Sequence, residues 1–80
     1  MKFLLLGEME GLLNSGRGWT AQIREWFDAE DRPDVISKVV KFAEPFFEEH
    51  ADDFSFKFNK LKLYRVIDVN MLEEIFPNGR

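Results

Sequence analysis

Titratable side chains crowd most closely around the single histidine, His50, in the string Glu48-Glu49-His50-Ala51-Asp52-Asp53. An imidazole beside carboxylates can act as a general acid–base pair, and several carboxylates can hold a hard divalent cation. Both chemistries need side chains that converge on a point, which one continuous string does not supply. A plainer account fits: a histidine at the end of a helix meets the negative pole of the helix dipole, and the acids around it form a solvated cap. No residue is assigned a catalytic role, and no metal or cofactor is implied.

Asn14-Ser15-Gly16-Arg17-Gly18 is the second candidate. A glycine-bearing loop between a strand and a helix holds anions well, because exposed amides and the helix dipole both favour negative charge. Gly16, Arg17 and Gly18 are the anion-binding candidates on that reading. The pattern is incomplete, with no Gly-Lys-Ser/Thr ending and no full G-x-G-x-x-G, so a connecting loop with a solvated Arg17 accounts for it as well.

Charge is unevenly distributed. From Glu44 to Asp53 there are five carboxylates and no Lys or Arg; from Lys57 to Arg65 there are four cations and no carboxylate. The acids Glu44, Glu48, Glu49, Asp52 and Asp53, with Glu25 and Asp28, make a candidate surface for a basic protein partner, by the electrostatic complementarity that small acidic inhibitors use. The cations Lys57, Lys60, Lys62 and Arg65 beside Tyr64 suggest a nucleic-acid face, but in a strand the Phe residues between the lysines point the other way, into the core. The net charge of −4 also argues against general affinity for phosphates. The expected partner is another protein or a second copy of the chain, not nucleic acid.

Eighty residues allow one domain, which at this size buries only about 60 to 65% of its unfolded surface. Nine Phe, two Trp and one Tyr supply the core, each ring removing a large apolar area from water for two rotatable bonds. The absence of cysteine rules out disulfides, thiolate zinc sites and cysteine nucleophiles and fits a reducing compartment, so a cytoplasmic location is expected. Met1 to Leu6 is too short to cross a bilayer, and Glu8 and Glu10 interrupt it too early for a signal peptide.

These residues must be positioned by a few elements. Phe3-Leu4-Leu5-Leu6 before Gly7 reads as a central strand buried on both faces. Trp19, Ile23, Trp26 and Phe27 fall at i, i+4, i+7 and i+8 and predict a first helix ending near Glu30. Asp31 as cap, Pro33 in the first turn and Asp34 predict a second helix, with a wide stripe from Val35 to Phe47 and a kink or break near Phe42 to Glu44 caused by Pro45. Phe54-Ser55-Phe56-Lys57-Phe58 and Leu61-Lys62-Leu63 alternate with a parity shift at Asn59-Lys60, which predicts a hairpin; one long bulged strand through Ile67 is the alternative. Asn70-Met71-Leu72-Glu73 has the form of a capping box and predicts a short terminal helix.

The expected fold is α+β: about three strands in a mostly antiparallel sheet, in β-α-α-β-β-α order, with the helices on one face. The expected function is a non-enzymatic interaction module, such as a small acidic inhibitor or a viral accessory protein, binding through an acidic or apolar surface. The alternative is a small homodimeric enzyme or ligand-binding subunit with a pocket between sheet and helices, using Arg17, His50 and Tyr64. Phe3 to Leu6 and the broad helical stripe offer more apolar surface than so small a domain can bury, and that remainder points to the working surface.

Overall fold

The computed structural model describes residues 1–77. The chain forms strand β1 (Lys2–Leu12), strand β2 (Gly18–Asp28), helix α1 (Arg32–Glu49), strand β3 (Ser55–Asp68) and strand β4 (Met71–Phe76). All four strands join one antiparallel sheet in the order β2-β1-β3-β4. This corrects the expected three strands and β-α-α-β-β-α order: Trp19 to Asp28 and Met71 to Phe76 are strands, and α1 is the one helix among the described residues.

β1 is an interior strand. Phe3, Leu4 and Leu5 are each 4% exposed, as an unbroken apolar run with neighbours on both sides requires. The strand continues through Gly7 and Gly11 to Leu12, then turns through Asn14 to Arg17 into β2. Every residue of β2 pairs with β1 without interruption, from Lys2 opposite Asp28 to Leu12 opposite Gly18.

β3 is the single bulged strand. Its register against β1 slips between Leu6 and Glu8, where Lys60 takes a φ of 56°, so one extra residue shifts side-chain parity. The slip puts Phe56, Phe58, Leu61 and Leu63 on one face, the grouping a hairpin was expected to achieve, and it removes the opposition of Lys57 to Lys62. Asp68 Oδ1 accepts a 2.7 Å hydrogen bond from the Asn70 backbone N–H, forming a local turn that sends the chain back as β4.

α1 begins as its sequence predicts. Asp31 caps it, its Oδ1 accepting from the Asp34 N–H at 3.0 Å, and a proline stands in the first turn. Pro45 lies inside the helix, which does not break at Phe42 to Glu44 but runs on to Glu49. The helix packs on one sheet face over Leu5, Met9 and Ile23, with Val39, Phe42 and Phe46 reaching down to Phe27, Phe58 and Leu63.

One helix about 10 Å wide cannot cover four strands spaced about 4.8 Å apart. No residue of α1 is buried. The molecule measures 45 × 22 × 21 Å and exposes 6030 Å², about a fifth more than the roughly 5,000 Å² expected of a folded monomer of 9.5 kDa.

Candidate functional site

His50 ends α1, where its N–H donates to the Phe46 carbonyl at 3.0 Å. Its Nδ1 lies 2.9 Å from Asp53 Oδ2. The ring stacks on Phe56, with centroids 4.7 Å apart, and leans on Trp19 at 4.8 Å. The histidine therefore joins the helix end to the aromatic cluster of β2 and β3, and Asp53 orients it. Among the described residues, no group of three or more His, Asp or Glu side chains is arranged to hold a metal ion.

The Asn14 to Gly18 segment joins two strands. Gly16 takes a φ of +89°, a conformation that favours glycine, and its N–H donates to the Leu13 carbonyl at 2.9 Å. Asn14 Nδ2 donates to the Asp52 carbonyl at 2.7 Å, tying this turn to the loop after α1. Arg17 is exposed, and the segment leads into β2 instead of a helix, so the dipole contribution expected for an anion site is not supplied.

The seven acidic candidates do not form one patch. Glu44, Glu48 and Glu49 are exposed on α1, Asp52 is exposed in the following loop, and Asp53 is engaged by His50. Glu25 lies across the groove between β2 and α1, an open space of about 300 Å³ that Lys38 and Lys41 also line. The Asp28 carbonyl accepts from Lys38 Nζ at 2.7 Å.

Two apolar surfaces were only partly legible. The first is on α1. Val35, Val39, Phe42 and Phe46 face the sheet, and successive residues turn by about 100°, so Ile36, Val40, Ala43 and Phe47 form the adjoining flank. Phe47 packs edge-on against Phe56 and Phe58 at 5.3 and 5.2 Å, which turns this flank toward β3; Lys38 and Lys41 occupy the opposite flank, toward β2. Ile36, Val40 and Phe47 stay 56%, 46% and 51% exposed. Beyond them on the same side of the sheet, Phe76 at the end of β4 pairs with Leu63 and is also exposed.

The second surface is the sheet face away from α1. Trp26 and Tyr64 flank Leu4 in register and, since directly opposed residues share a face, the three form a row there. Arg24, Leu6 and Lys62 form the next row. Further along, Glu8 and Glu10 meet the cations of β3: Lys57 Nζ lies 2.9 Å from Glu10 Oε1, and Lys60 Nζ lies 3.7 Å from Glu8 Oε1. The hydrogen bond from Lys57 holds the Glu10 carboxyl below its ordinary value. Reading Trp26 as part of a helical stripe hid its position; the apolar run of β1, which needs cover on two sides, was the available signal.

No known protein family, curated protein or solved structure matches this chain.

The described residues include no helix long and apolar enough to cross a membrane. An open depression of about 500 Å³ lies at the end of the sheet, where Glu10, Trp19 and Lys57 contribute to its wall. It gathers neither His50 nor Tyr64. Arg65 lies opposite Phe3 on the α1 side of the sheet, its Nη2 3.0 Å from Glu73 Oε1.

Proposed function

We propose that this chain is a non-enzymatic protein-binding module, in which an amphipathic helix of a partner lies beside α1 and completes the core. The observation that carries this reading is the flank of Ile36, Val40, Ala43 and Phe47, apolar yet about half exposed at Ile36, Val40 and Phe47. Its alternating spacings of four and three residues are those of a seam between two packed helices, and Ala43 allows close approach. The excess of exposed surface supports the same reading, because one partner's share of an ordinary interface is about 800 Å².

The charges bordering the flank define the partner further. Glu44 follows Val40 around the helix and Glu48 lies beyond it, both exposed. A complementary helix carries an apolar stripe edged with Lys or Arg, so the acidic residues of α1 act as the polar rim of an apolar contact.

The test is affinity capture with the native chain and with a Val40→Lys variant, followed by titration of the purified partner. The native chain is expected to retain a protein that the variant loses, with affinity falling as salt is raised. Retention of the same proteins by the variant, folded by circular dichroism, would sink the reading.

A further inference from the structure

The outer edge of β2 is a different surface, on the opposite side of the molecule from the Ile36 to Phe47 flank. Eleven residues of β2 pair with β1 on one side only, leaving backbone N–H and C=O groups along the other. Proteins usually blunt such an edge with charged side chains, proline, a bulge or shortness, and of these β2 has only the charges of Arg24, Glu25 and Asp28. β2 contains no proline, its register has no slip, and its Gly is confined to the first position.

The other edge strand is protected. β4 has six residues and register slips near both ends. Two copies of β4 paired antiparallel about a two-fold axis, with shared faces and most of their length overlapping, set either Glu73 or Glu74 against itself.

β2 behaves differently when paired with itself. Aligning its full length antiparallel, Gly18 against Asp28, puts Ile23 on the two-fold axis. Trp19 then faces Phe27 of the second copy and Ala21 faces Glu25, on the side that carries α1. Thr20 faces Trp26 and Gln22 faces Arg24 on the open side. No like charges are opposed, and an aromatic pair is gained at each end. Sliding by one step in one direction opposes Arg24 to itself, a further step opposes Glu25 to itself, and sliding the other way shortens the overlap. The best register is therefore also the longest.

We propose that the protein self-associates through β2, two copies forming a continuous eight-stranded antiparallel sheet with Ile23 at the two-fold axis and both α1 helices on one face. The assembly is isologous and closed, each β2 edge capping the other. It leaves the Ile36 to Phe47 flank free on each copy, so a partner helix and a second copy bind together.

Light scattering and sedimentation equilibrium on the whole chain test the proposal with exposed positions only. The native chain is expected to be a concentration-dependent dimer. Gln22→Lys sets two like-charge contacts against Arg24 and is expected to weaken the dimer roughly tenfold, while Gln22→Lys with Arg24→Glu restores it. Because the natural chain has no cysteine, a mixture of Gln22→Cys and Arg24→Cys chains reports the register directly: oxidation is expected to yield the mixed disulfide in preference to either homodimer. A chain that stays monomeric at millimolar concentration overturns the proposal, as does a dimer unaffected by Gln22→Lys. Loss of the dimer in Val40→Lys alone would assign self-association to the helix flank and also overturn it. The partner-capture experiment is independent of the first two results, whereas the third would make a second copy the occupant of the flank.

Discussion

At Gly11 the volume that a side chain would occupy is filled by the indole of Trp19: a Cβ there would lie 2.5 Å from Nε1 and 2.6 Å from Cε2. Trp19 also stacks on Phe56 at 6.0 Å and touches His50, so it has little freedom to retreat. Gly11→Ala is expected to cost about 1–3 kcal/mol, the usual penalty of overpacking. Urea denaturation measures the loss, and the emission of Trp19, isolated in a Trp26→Phe background, should shift with it. Unchanged stability and emission would show that the indole is mobile. Glu10 makes a prediction of the opposite kind. Its carboxyl is lowered in the folded chain chiefly by the hydrogen bond from Lys57, so its contribution is present above the ordinary carboxyl value and is lost as pH falls through the lowered one. Glu10→Gln should therefore leave a shallower loss of stability below about pH 4.5 and little change in its slope near neutrality. The Glu10 side chain is partly exposed and Lys57 is largely in solvent, so the effect is small, and parallel acid-unfolding curves for the two proteins would refute the assignment.

At the scale of elements, what could be read from the sequence followed from how uniquely each pattern names a period. α1 was legible because cap, proline and stripe agree, and only a helix brings Val35, Val39, Phe42 and Phe46 to one side. Asp31→Ala removes the oxygen that accepts from Asp34 and is expected to cost about 0.5–2 kcal/mol, seen as a lower thermal midpoint with helical signal retained. No change would mean that solvent satisfies the first turn equally well. β2 was not legible, because Trp19, Ile23 and Phe27 are separated by multiples of four, and four is both one helical turn and an even number of strand steps. The polar Thr20, Gln22 and Arg24 between Trp19, Ala21, Ile23 and Glu25 carry the strand alternation; Trp26 completed a helical stripe but sits on the open face beside Leu4. The same ambiguity hid β4, where Leu72, Ile75 and Phe76 fit a helix until pairing with β3 supplies the hydrogen bonds. That pairing reaches across the turn at Val69 and Asn70, outside the six residues of β4. The candidate site divides in the same way: the excess width of the α1 stripe is local and readable, whereas the side on which it is left bare depends on the order β2-β1-β3-β4.

At the scale of the whole molecule, the decisive quantity is the imbalance between one helix and four strands. Among the described residues six hydrophobic side chains are buried, all of them on β1, β2 or the residue after β2, and none on α1. In the isolated chain, stability should therefore respond very unequally to substitutions on the two sides of the helix–sheet interface. Leu5→Ala, in the centre of the core at 4% exposure, is expected to cost about 2–5 kcal/mol, much of what so small a domain has. Ile36→Lys and Val40→Lys, on the flank, should change stability by no more than about 0.5 kcal/mol, and the better helix propensity of Lys over a β-branched residue favours a slight gain. Chemical denaturation of the three variants at low protein concentration makes the comparison. If the flank substitutions destabilise as much as Leu5→Ala does, the flank is already packed within the chain and no partner is needed to cover it. If they are neutral in the isolated chain but abolish partner binding, then Ile36 and Val40 stabilise nothing in the monomer, and their apolar character is explained by the complex alone.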